Sequence, residues 1–263
     1  MTTILDKILK EKETLINQMI HETIPVCKKR LKRPSLFDRL VQNNKLQVIA
    51  EIKRASPSKG LIQGIVDPAK QALVYQEAGA AAISVLTDSP FFQGSFKDLQ
   101  AVAETVDLPI LCKDFIIHKV QIDFAKSAGA SVVLLIVAAL SKEKIKELYT
   151  YAIAKGLEVL VEVHNIQELE VALQLDTKLI GVNNRDLRTF QVDLSHTGEL
   201  ASNFPFNEGR VLISESGICN NVDAIQVAKY GASAVLVGEA LMRSDDPYKT
   251  LRTLQVEREV MVQ

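Results

Sequence analysis

A carboxylate and an ammonium group, those of Glu51 and Lys53, lie two residues apart at the end of an apolar run that begins at Val48. Residues two apart on a β-strand point to the same side, so a strand here would place both charges on one face. Opposite charges on one face are costly in a packed core and useful at the mouth of a site. A plain surface ion pair explains this pair equally well.

Ionisable side chains also stand at the ends of later apolar runs, namely Lys113, Glu162 and Glu215. If these runs are parallel strands of one sheet, their carboxyl ends meet at one edge and the side chains converge there. Neighbouring carboxylates and ammonium groups shift one another's pKa values toward working pH, which acid–base catalysis requires. The pattern predicts an acid–base site, with chance placement on solvated loops as the alternative.

Small residues after the last two apolar runs predict an anion site. They are Ser216 and Gly217 after one run, and Gly238, which Glu239 follows, after the other. Unpaired backbone N–H groups at a helix start, together with a serine hydroxyl, bind anions. Arg185 can add a full positive charge. The expected ligand is therefore a phosphorylated small molecule, with acid–base groups around its other end.

The apolar runs alternate with helical patterns that end at glycine. Glycine just past a helix supplies the left-handed residue that other side chains disfavour. The intervals between these glycines are near multiples of about 25 residues, the size of a compact strand–loop–helix unit. The glycines are at positions 79, 129, 156 and 231, and the predicted strands are 47–53, 82–86, 109–112, 132–136, 158–163, 178–182, 211–214 and 234–237.

This alternation predicts an α/β fold, a single (β/α)8 TIM barrel over residues 46–263. Apolar strands that alternate with amphipathic helices pair in parallel and are buried on both faces. A doubly wound open sheet is the alternative, but the first strand lacks the glycine-rich dinucleotide turn that would favour it. In such barrels the chemistry lies on the loops after the strands, where the polar residues fall.

Residues 1–45 have a different pattern and predict an N-terminal helical extension. Apolar residues recur at helical spacing between positions 4 and 20, with charges between them. A basic patch over 27–33 ends at Pro34, and 35–41 has the pattern of a short capped helix. Lysine and arginine runs are usually solvated faces, so this patch predicts no nucleic-acid role.

The overall charge gives no reason to expect nucleic acid or an anionic membrane as a partner. The 263 residues carry a formal net charge of −1. The longest apolar run, 132–140, is too short to cross a bilayer, and the first residues lack the apolar core of a signal peptide. Widely separated cysteines and histidines predict neither disulfides nor a metal site, and we expect a cytoplasmic protein.

Taken in order, these segments resemble the indole-3-glycerol phosphate synthase family, which also has an N-terminal helical extension. The matching stretches span nearly the whole barrel and are Glu51-Ile-Lys-Arg-Ala-Ser-Pro-Ser-Lys-Gly60, Val85-Leu-Thr-Asp88, Phe91-Phe-Gln-Gly-Ser95, Cys112-Lys-Asp-Phe115, Val161-Glu-Val-His-Asn165, Gly181-Val-Asn-Asn-Arg-Asp-Leu187, Ser214-Glu-Ser-Gly-Ile218 and Val237-Gly-Glu-Ala-Leu-Met242. The main departure is His118-Lys119-Val120, where the family pattern has Asp-Pro-Tyr.

The resemblance implies a carboxy-lyase of tryptophan biosynthesis that needs no cofactor or metal. Its reaction closes the indole ring of 1-(2-carboxyphenylamino)-1-deoxyribulose 5-phosphate to give indole-3-glycerol phosphate, carbon dioxide and water. By resemblance, Lys113 is the acid that polarises the ketone, and Lys53 holds the substrate carboxylate. Glu51 and Glu162 are the candidates for the acid and base of the dehydration, and which does which stays open.

The other site residues also follow from the resemblance. Asn183 is expected to hydrogen-bond substrate hydroxyls, and Glu215 to hold Lys113 or Lys53 in place. The phosphate and the chain leading to it are expected to contact Ser56, Arg185, Ser216, Gly217, Gly238 and Glu239, the glycines and Glu239 through backbone N–H groups. The anthranilate ring is expected to pack against Leu86, Phe92, Phe115, Leu134, Leu187 and Leu236.

Two other functions are alternatives. A phosphoribosylanthranilate isomerase, a phosphate-binding barrel of the same pathway, would need a Cys/Asp pair, but Cys112 precedes Lys113 and is expected to point away from it. A catalytically silent barrel that binds phosphometabolites would be expected to have lost these lysines or glutamates. The expected partner is a small phosphorylated substrate, and we expect a monomer that associates at most with other tryptophan-pathway enzymes.

Overall fold

All the predicted strands are present and close into one barrel. The computed structural model describes residues 3–24, 26–28 and 32–258. The barrel strands, called the first to the eighth in chain order, are Gln47–Ile52, Ala82–Leu86, Ile110–Lys113, Val132–Ile136, Glu158–Val163, Leu179–Asn183, Val211–Glu215 and Ala234–Val237. Each is parallel to its neighbours, and the eighth pairs with the first to complete the ring. The predicted (β/α)8 barrel is confirmed.

The strand ends differ from the prediction by one residue at four strands, and the difference concerns the site. The third strand reaches Lys113, which pairs with Leu86 of the second strand. The seventh reaches Glu215, which pairs with Asn183 of the sixth. The first ends at Ile52. Three site residues, Lys113, Asn183 and Glu215, therefore lie within the barrel ladder rather than on the loops beyond it.

Helices connect the strands and surround the barrel. Their bounds are Ile4–Met19, Leu36–Val41, Pro68–Glu77, Ser89–Phe92, Phe96–Thr105, Lys119–Ser127, Lys142–Ala154, Ile166–Leu173, Ser195–Ala201, Asn221–Lys229, Glu239–Met242 and Pro247–Thr253. The glycines predicted to end helices are left-handed, with φ of 89° at Gly79, 105° at Gly129, 72° at Gly156 and 90° at Gly231. Among the described residues, no helix has the length and apolar content that crossing a membrane would require.

Alternating side chains on the strands build two apolar layers. Ile49 and Leu111 belong to the layer inside the barrel, whereas Val48 and Cys112 belong to the layer between the sheet and the helices. This alternation follows from the two-residue period of a strand. Cys112 therefore faces away from the barrel interior, as predicted.

The helix Leu36–Val41 covers the N-terminal end of the barrel. Leu36 and Leu40 are fully buried and join the apolar layer inside the barrel. The carboxylate of Glu158 accepts hydrogen bonds from Ser35 Oγ at 2.9 Å and from the Leu36 backbone N–H at 2.7 Å. A carboxylate at a helix start satisfies free N–H groups and complements the helix dipole. Glu158 thus closes the end of the barrel opposite the site.

The predicted N-terminal helix spans Ile4–Met19, and Thr3 caps its start. Its buried residues are Ile8, Lys12 and Ile16, one per turn along a single face. Part of the predicted basic patch, residues 29–31, lies outside the described residues.

Candidate active site

One cavity at the C-terminal ends of the strands contains every residue predicted for the site. Its volume is about 570 Å³, within the range of about 300–1,000 Å³ that is typical of small-molecule sites. The predicted residues that line it are Glu51, Lys53, Ser56, Leu86, Phe92, Lys113, Phe115, Leu134, Glu162, Asn183, Arg185, Leu187, Glu215, Ser216, Gly217, Leu236, Gly238 and Glu239. The sequence-based convergence of these side chains is therefore present in the structure.

Lys113 stands between two buried carboxylates. Its Nζ atom lies 3.0 Å from Glu162 Oε2 and also donates to Glu215 Oε2. Asn183 Nδ2 donates to the other oxygen of Glu162 at 3.1 Å. Glu215 therefore holds Lys113, one of the two lysines expected as its partner.

The charges around Lys113 set the protonation of the cluster. Burial disfavours the charged form of Lys113, but the carboxylates of Glu162 and Glu215 outweigh it and raise the pKa of the lysine. Burial also opposes ionisation of Glu162, yet the ammonium of Lys113 lowers the pKa of this carboxyl below its ordinary value. At Glu215, burial outweighs the attraction of Lys113 and raises the pKa to about 7. The cluster thus holds a charged lysine, an ionised glutamate and a carboxyl that titrates near neutrality.

The first strand supplies a second charged pair to the same cavity. Lys53 Nζ donates to Glu51 Oε1 at 2.6 Å, which confirms the shared face expected from their spacing. Gly238 makes room for this pair, because a Cβ there would lie 2.5 Å from Glu51 Oε1. Gly181 does the same for Glu215, whose Oε1 a Cβ would strike.

One half of the predicted anion site, at Ser216 and Gly217, does not lie at a helix start as expected. Ser216 and Gly217 are both left-handed, with φ of 65° and 89°, and the following helix begins only at Asn221. Their backbone therefore belongs to a turn rather than to a helix start. A Cβ at position 217 would clash with Val192, so the turn requires glycine there.

Gly238 and Glu239 match the expected helix start. Gly238 precedes the helix Glu239–Met242 and caps it without a side-chain hydrogen bond. The Glu239 carboxylate is turned toward cations, 3.5 Å from Lys59 and 3.3 Å from Arg243. Its backbone N–H, rather than its charge, is thus suited to an anionic ligand.

Aromatic side chains form one wall of the cavity. The ring centroids of Phe92 and Phe115 are 6.0 Å apart and the rings are tilted by 36°, an arrangement typical of attractive aromatic pairs. Leu86 and Leu134 in the same cavity are buried. An aromatic ring of a ligand fits against this wall.

Asn184 holds the ends of two strands together, a role that was not predicted from the sequence. Its Nδ2 donates to Ser214 Oγ at 2.9 Å, to the Glu215 carbonyl at 2.9 Å and to the Ser216 carbonyl at 3.1 Å. Its Oδ1 accepts from Thr197 Oγ1 at 2.7 Å. This buried amide fixes the backbone on which Ser216 stands.

His164 adds a charge beside Glu162 that sequence reasoning also missed. Its Nε2 lies 3.3 Å from Glu162 Oε1, and its Nδ1 lies 3.1 Å from Glu168 Oε2. Burial opposes protonation, but the two carboxylates outweigh it and raise the pKa of His164 to about 10. The imidazolium helps to keep Glu162 ionised. The available signal was its position two residues after Glu162, a spacing that puts two side chains on the same side of an extended chain.

The N-terminal helix contributes to the cavity through Ile4, Leu5 and Ile8. Sequence reasoning placed this segment outside the barrel and did not predict that it lines the site.

His118, where the sequence departs from the family pattern, caps the helix Lys119–Ser127. Its Nδ1 accepts a hydrogen bond from the Val120 backbone N–H at 3.2 Å. The substitution preserves the helix start after Lys113.

The fold and the site define a class of protein, a (β/α)8 barrel whose C-terminal mouth carries acid–base groups. Solved structures with the same fold include thiamine phosphate pyrophosphorylase from Pyrococcus furiosus (TM-score 0.59, 18% identity, covering 84% of this chain and 96% of that one). Another is N-acetylmannosamine-6-phosphate 2-epimerase from Clostridium perfringens (TM-score 0.59, 16% identity, covering 81% and 93%). At these identities the likeness concerns the fold alone.

The chain belongs to the indole-3-glycerol phosphate synthase family, whose sequence model matches residues 5–254. It is 50% identical over 261 residues to the indole-3-glycerol phosphate synthase of Oceanobacillus iheyensis, covering 98% of this chain and all (100%) of that protein. It is 56% identical over 245 residues to the protein of the same name from Bacillus cereus strain AH820, covering 93% and 94%. The family resemblance found in the sequence is confirmed.

Proposed function

We propose that the protein is a carboxy-lyase that converts 1-(2-carboxyphenylamino)-1-deoxyribulose 5-phosphate to indole-3-glycerol phosphate, carbon dioxide and water. Membership of the family supports this activity. The observation that carries the chemistry is the position of Lys113 between Glu162 and Glu215, in the cavity that also holds the Lys53–Glu51 pair. This arrangement provides two cations and three carboxyl groups around one small volume.

Ring closure requires an aryl carbon to attack a ketone, so negative charge develops on the ketone oxygen. A charged Lys113 is suited to donate its proton there, because the carboxylates beside it keep the ammonium form populated. Lys53 is suited to bind the substrate carboxylate until carbon dioxide leaves and the ring regains aromaticity. Both lysines act on the same end of the substrate.

The second stage removes a hydroxyl as water and a proton from the new ring. Glu51 and Glu162 are the candidates for these two transfers. Lys113 lowers the pKa of Glu162 and keeps it in the carboxylate form, and both glutamates stay candidates for the base. Asn183, which contacts Glu162, is placed to bind substrate hydroxyls nearby.

The other end of the cavity suits a phosphate. Ser216 provides a hydroxyl, Gly217 and Gly238 provide backbone N–H groups, and Arg185 provides a charge. In (β/α)8 barrels the loops after the seventh and eighth strands commonly hold a phosphate group. The aromatic wall at Phe92 and Phe115 then receives the anthranilate ring.

The isomerase alternative needs a reactive thiol, and Cys112 does not fit that role. Its Sγ lies 3.4 Å from Thr87 Oγ1 on the helix side of the sheet, and burial raises the pKa of the thiol.

Four expectations stay predictions from the sequence. They are the division of the chain at residue 46, a monomeric state, association with other tryptophan-pathway enzymes and a cytoplasmic location.

The experiment that tests the function incubates the purified chain with the carboxyphenylamino-deoxyribulose phosphate and follows indole fluorescence and carbon dioxide together. We expect equimolar amounts of both products. A folded protein that releases neither would support the silent phosphometabolite-binding barrel. Turnover of phosphoribosylanthranilate instead would support the isomerase.

A further inference from the structure

Lys12 is buried although it stands on a helix of the N-terminal extension. Only 5% of the residue is exposed, and Ile8 and Ile16 flank it on the buried face of the helix. Residues four apart share a helix face, so this lysine interrupts an apolar stripe. Lysine is almost never fully buried without a charged partner.

Two buried carboxylates surround the Lys12 ammonium. Its Nζ lies 3.0 Å from Asp88 Oδ2 and 2.5 Å from Asp114 Oδ1, and the two aspartates are 1% and 3% exposed. Burial opposes the charged form of Lys12, but Asp114 and Asp88 outweigh it and raise the pKa of the lysine. Replacing a buried ion cluster by apolar residues of the same volume is often neutral or stabilising, and the best-attested use of such a cluster is to fix geometry.

Asp114 connects this cluster to the acid–base site. It follows Lys113 in the chain, and its carboxylate accepts from Thr87 Oγ1 at 2.6 Å and from the Phe115 backbone N–H at 2.7 Å. The backbone on both sides of Asp114 therefore carries a cavity residue. A shift of this carboxylate moves Lys113 and Phe115 together.

Asp88 connects the same cluster to the opposite aromatic residue. Its Oδ1 accepts from the Phe91 backbone N–H at 2.8 Å and caps the helix Ser89–Phe92. Phe92 at the end of this helix faces Phe115 across 6.0 Å. One ammonium thus ties the loops after the second and third strands to the N-terminal helix.

We infer that Lys12 is a positioning residue of the active site. Through Asp114 it fixes the orientation of Lys113, and through Asp88 it fixes Phe92 against the substrate ring. The predicted effect of Lys12 on catalysis rests on the proposed function. The mechanical part, the restraint of both loops, follows from the ion cluster itself.

The test compares Lys12→Met with Lys10→Met, which removes an exposed charge two residues away on the same helix. For Lys12→Met we expect kcat/KM to fall on the order of 10²-fold, the scale of an ångström misplacement at a reacting centre. Both a lower kcat and a higher KM are expected per folded molecule. For Lys10→Met we expect wild-type values. A Lys12→Met protein with wild-type kcat and KM would overturn the inference.

A purely structural role would lower the folded fraction and leave KM unchanged, and that outcome would also overturn the inference. If Lys12→Met does not fold, the double variant Lys12→Met/Asp88→Asn takes its place in the test. It leaves only one buried carboxylate, Asp114, without its ammonium partner. This double variant still lacks the tie to Asp114, so we expect the same change in KM. A folded double variant with wild-type KM would contradict the role.

Amide hydrogen exchange separates this inference from the proposed function. In Lys12→Met we expect faster exchange over 87–94 and 113–117 than in Lys10→Met, whether or not the substrate is turned over. Equal exchange in the two variants would overturn the restraint. An inactive wild type with the expected exchange difference would instead contradict the proposed function alone.

Discussion

Lys113 Nζ lies 3.0 Å from Glu162 Oε2 and simultaneously contacts Glu215 Oε2. One ammonium cannot neutralise two buried carboxylates, so the two titrate differently. The pKa of Glu162 is lowered and that of Glu215 is raised to about 7. Two like groups with pKa values pushed apart are the usual arrangement of acid–base sites. Together the two groups keep Lys113 charged, as a general acid requires.

A substitution at the N-terminal end of the barrel is expected to lower stability without affecting catalysis. Glu158→Gln replaces a carboxylate that accepts from Ser35, Leu36 and Phe37. Because a charged acceptor is lost and an amide N–H₂ faces backbone donors, the free energy of unfolding should fall by about 1–3 kcal/mol. Urea denaturation measures this loss. kcat/KM should stay at the wild-type value, because functional groups of these barrels lie at the other end.

The matched control for Glu158 is Glu170→Gln, at an exposed position. It should leave the free energy of unfolding within about 0.5 kcal/mol of wild type, as for most surface substitutions. A Glu158→Gln protein as stable as this control, or one with an altered KM, would contradict the role assigned to the capping carboxylate.

The stability contribution of His164 is expected to depend on pH. The pKa of His164 is raised to about 10 from 6.5, so protonation favours the folded state. This contribution is fully present below the unfolded pKa of about 6.5 and is lost as pH rises through about 10. The loss of unfolding free energy in His164→Gln should therefore be largest near pH 6 and decline toward pH 10.

Urea denaturation at about pH 6, 8 and 10 checks this prediction. His21→Gln, at an exposed position, serves as the control and should give a small, pH-independent difference. If the loss of unfolding free energy in His164→Gln were also independent of pH over this range, Glu162 and Glu168 would not stabilise the imidazolium.

Ser216→Ala is expected to weaken substrate binding more than turnover. Loss of one hydroxyl hydrogen bond to a charged phosphate should raise KM on the order of tenfold. kcat should change less, because a phosphate remote from the reacting atoms is bound alike in the ground and transition states. Steady-state kinetics measure the changes in KM and kcat, with Ser202→Ala, outside the cavity, as the control. An unchanged KM would place the phosphate elsewhere.

The strand positions and the charged mouth could be predicted because both follow local rules. The spacing of Glu51 and Lys53 placed two charges on one face, and they form a 2.6 Å pair. Left-handed glycines such as Gly79 and Gly129 marked the helix ends. The last residue of a strand was less predictable, since Lys113 joins the ladder only through its pairing with Leu86.

Residues that act through distant contacts were not predictable in the same way. Asn184 resembles any loop asparagine until its amide is seen to bond three acceptors on the seventh strand and the turn after it. Lys12 is a further case, since its partners Asp88 and Asp114 are remote in sequence. Its place between Ile8 and Ile16 was the available signal. A charge at a position where the helical period requires an apolar residue predicts a buried partner.

The turnover number of Lys113→Ala in the indole-fluorescence assay tests whether Lys113 is the acid of the ring closure. Lys146→Ala, an exposed lysine on the helix Lys142–Ala154, is the control, and circular dichroism verifies that both variants fold. We expect kcat of Lys113→Ala to fall by about 10²–10⁴-fold, the usual contribution of a general acid, and Lys146→Ala to match wild type. A folded Lys113→Ala protein with near-wild-type turnover would remove Lys113 from the proton transfer.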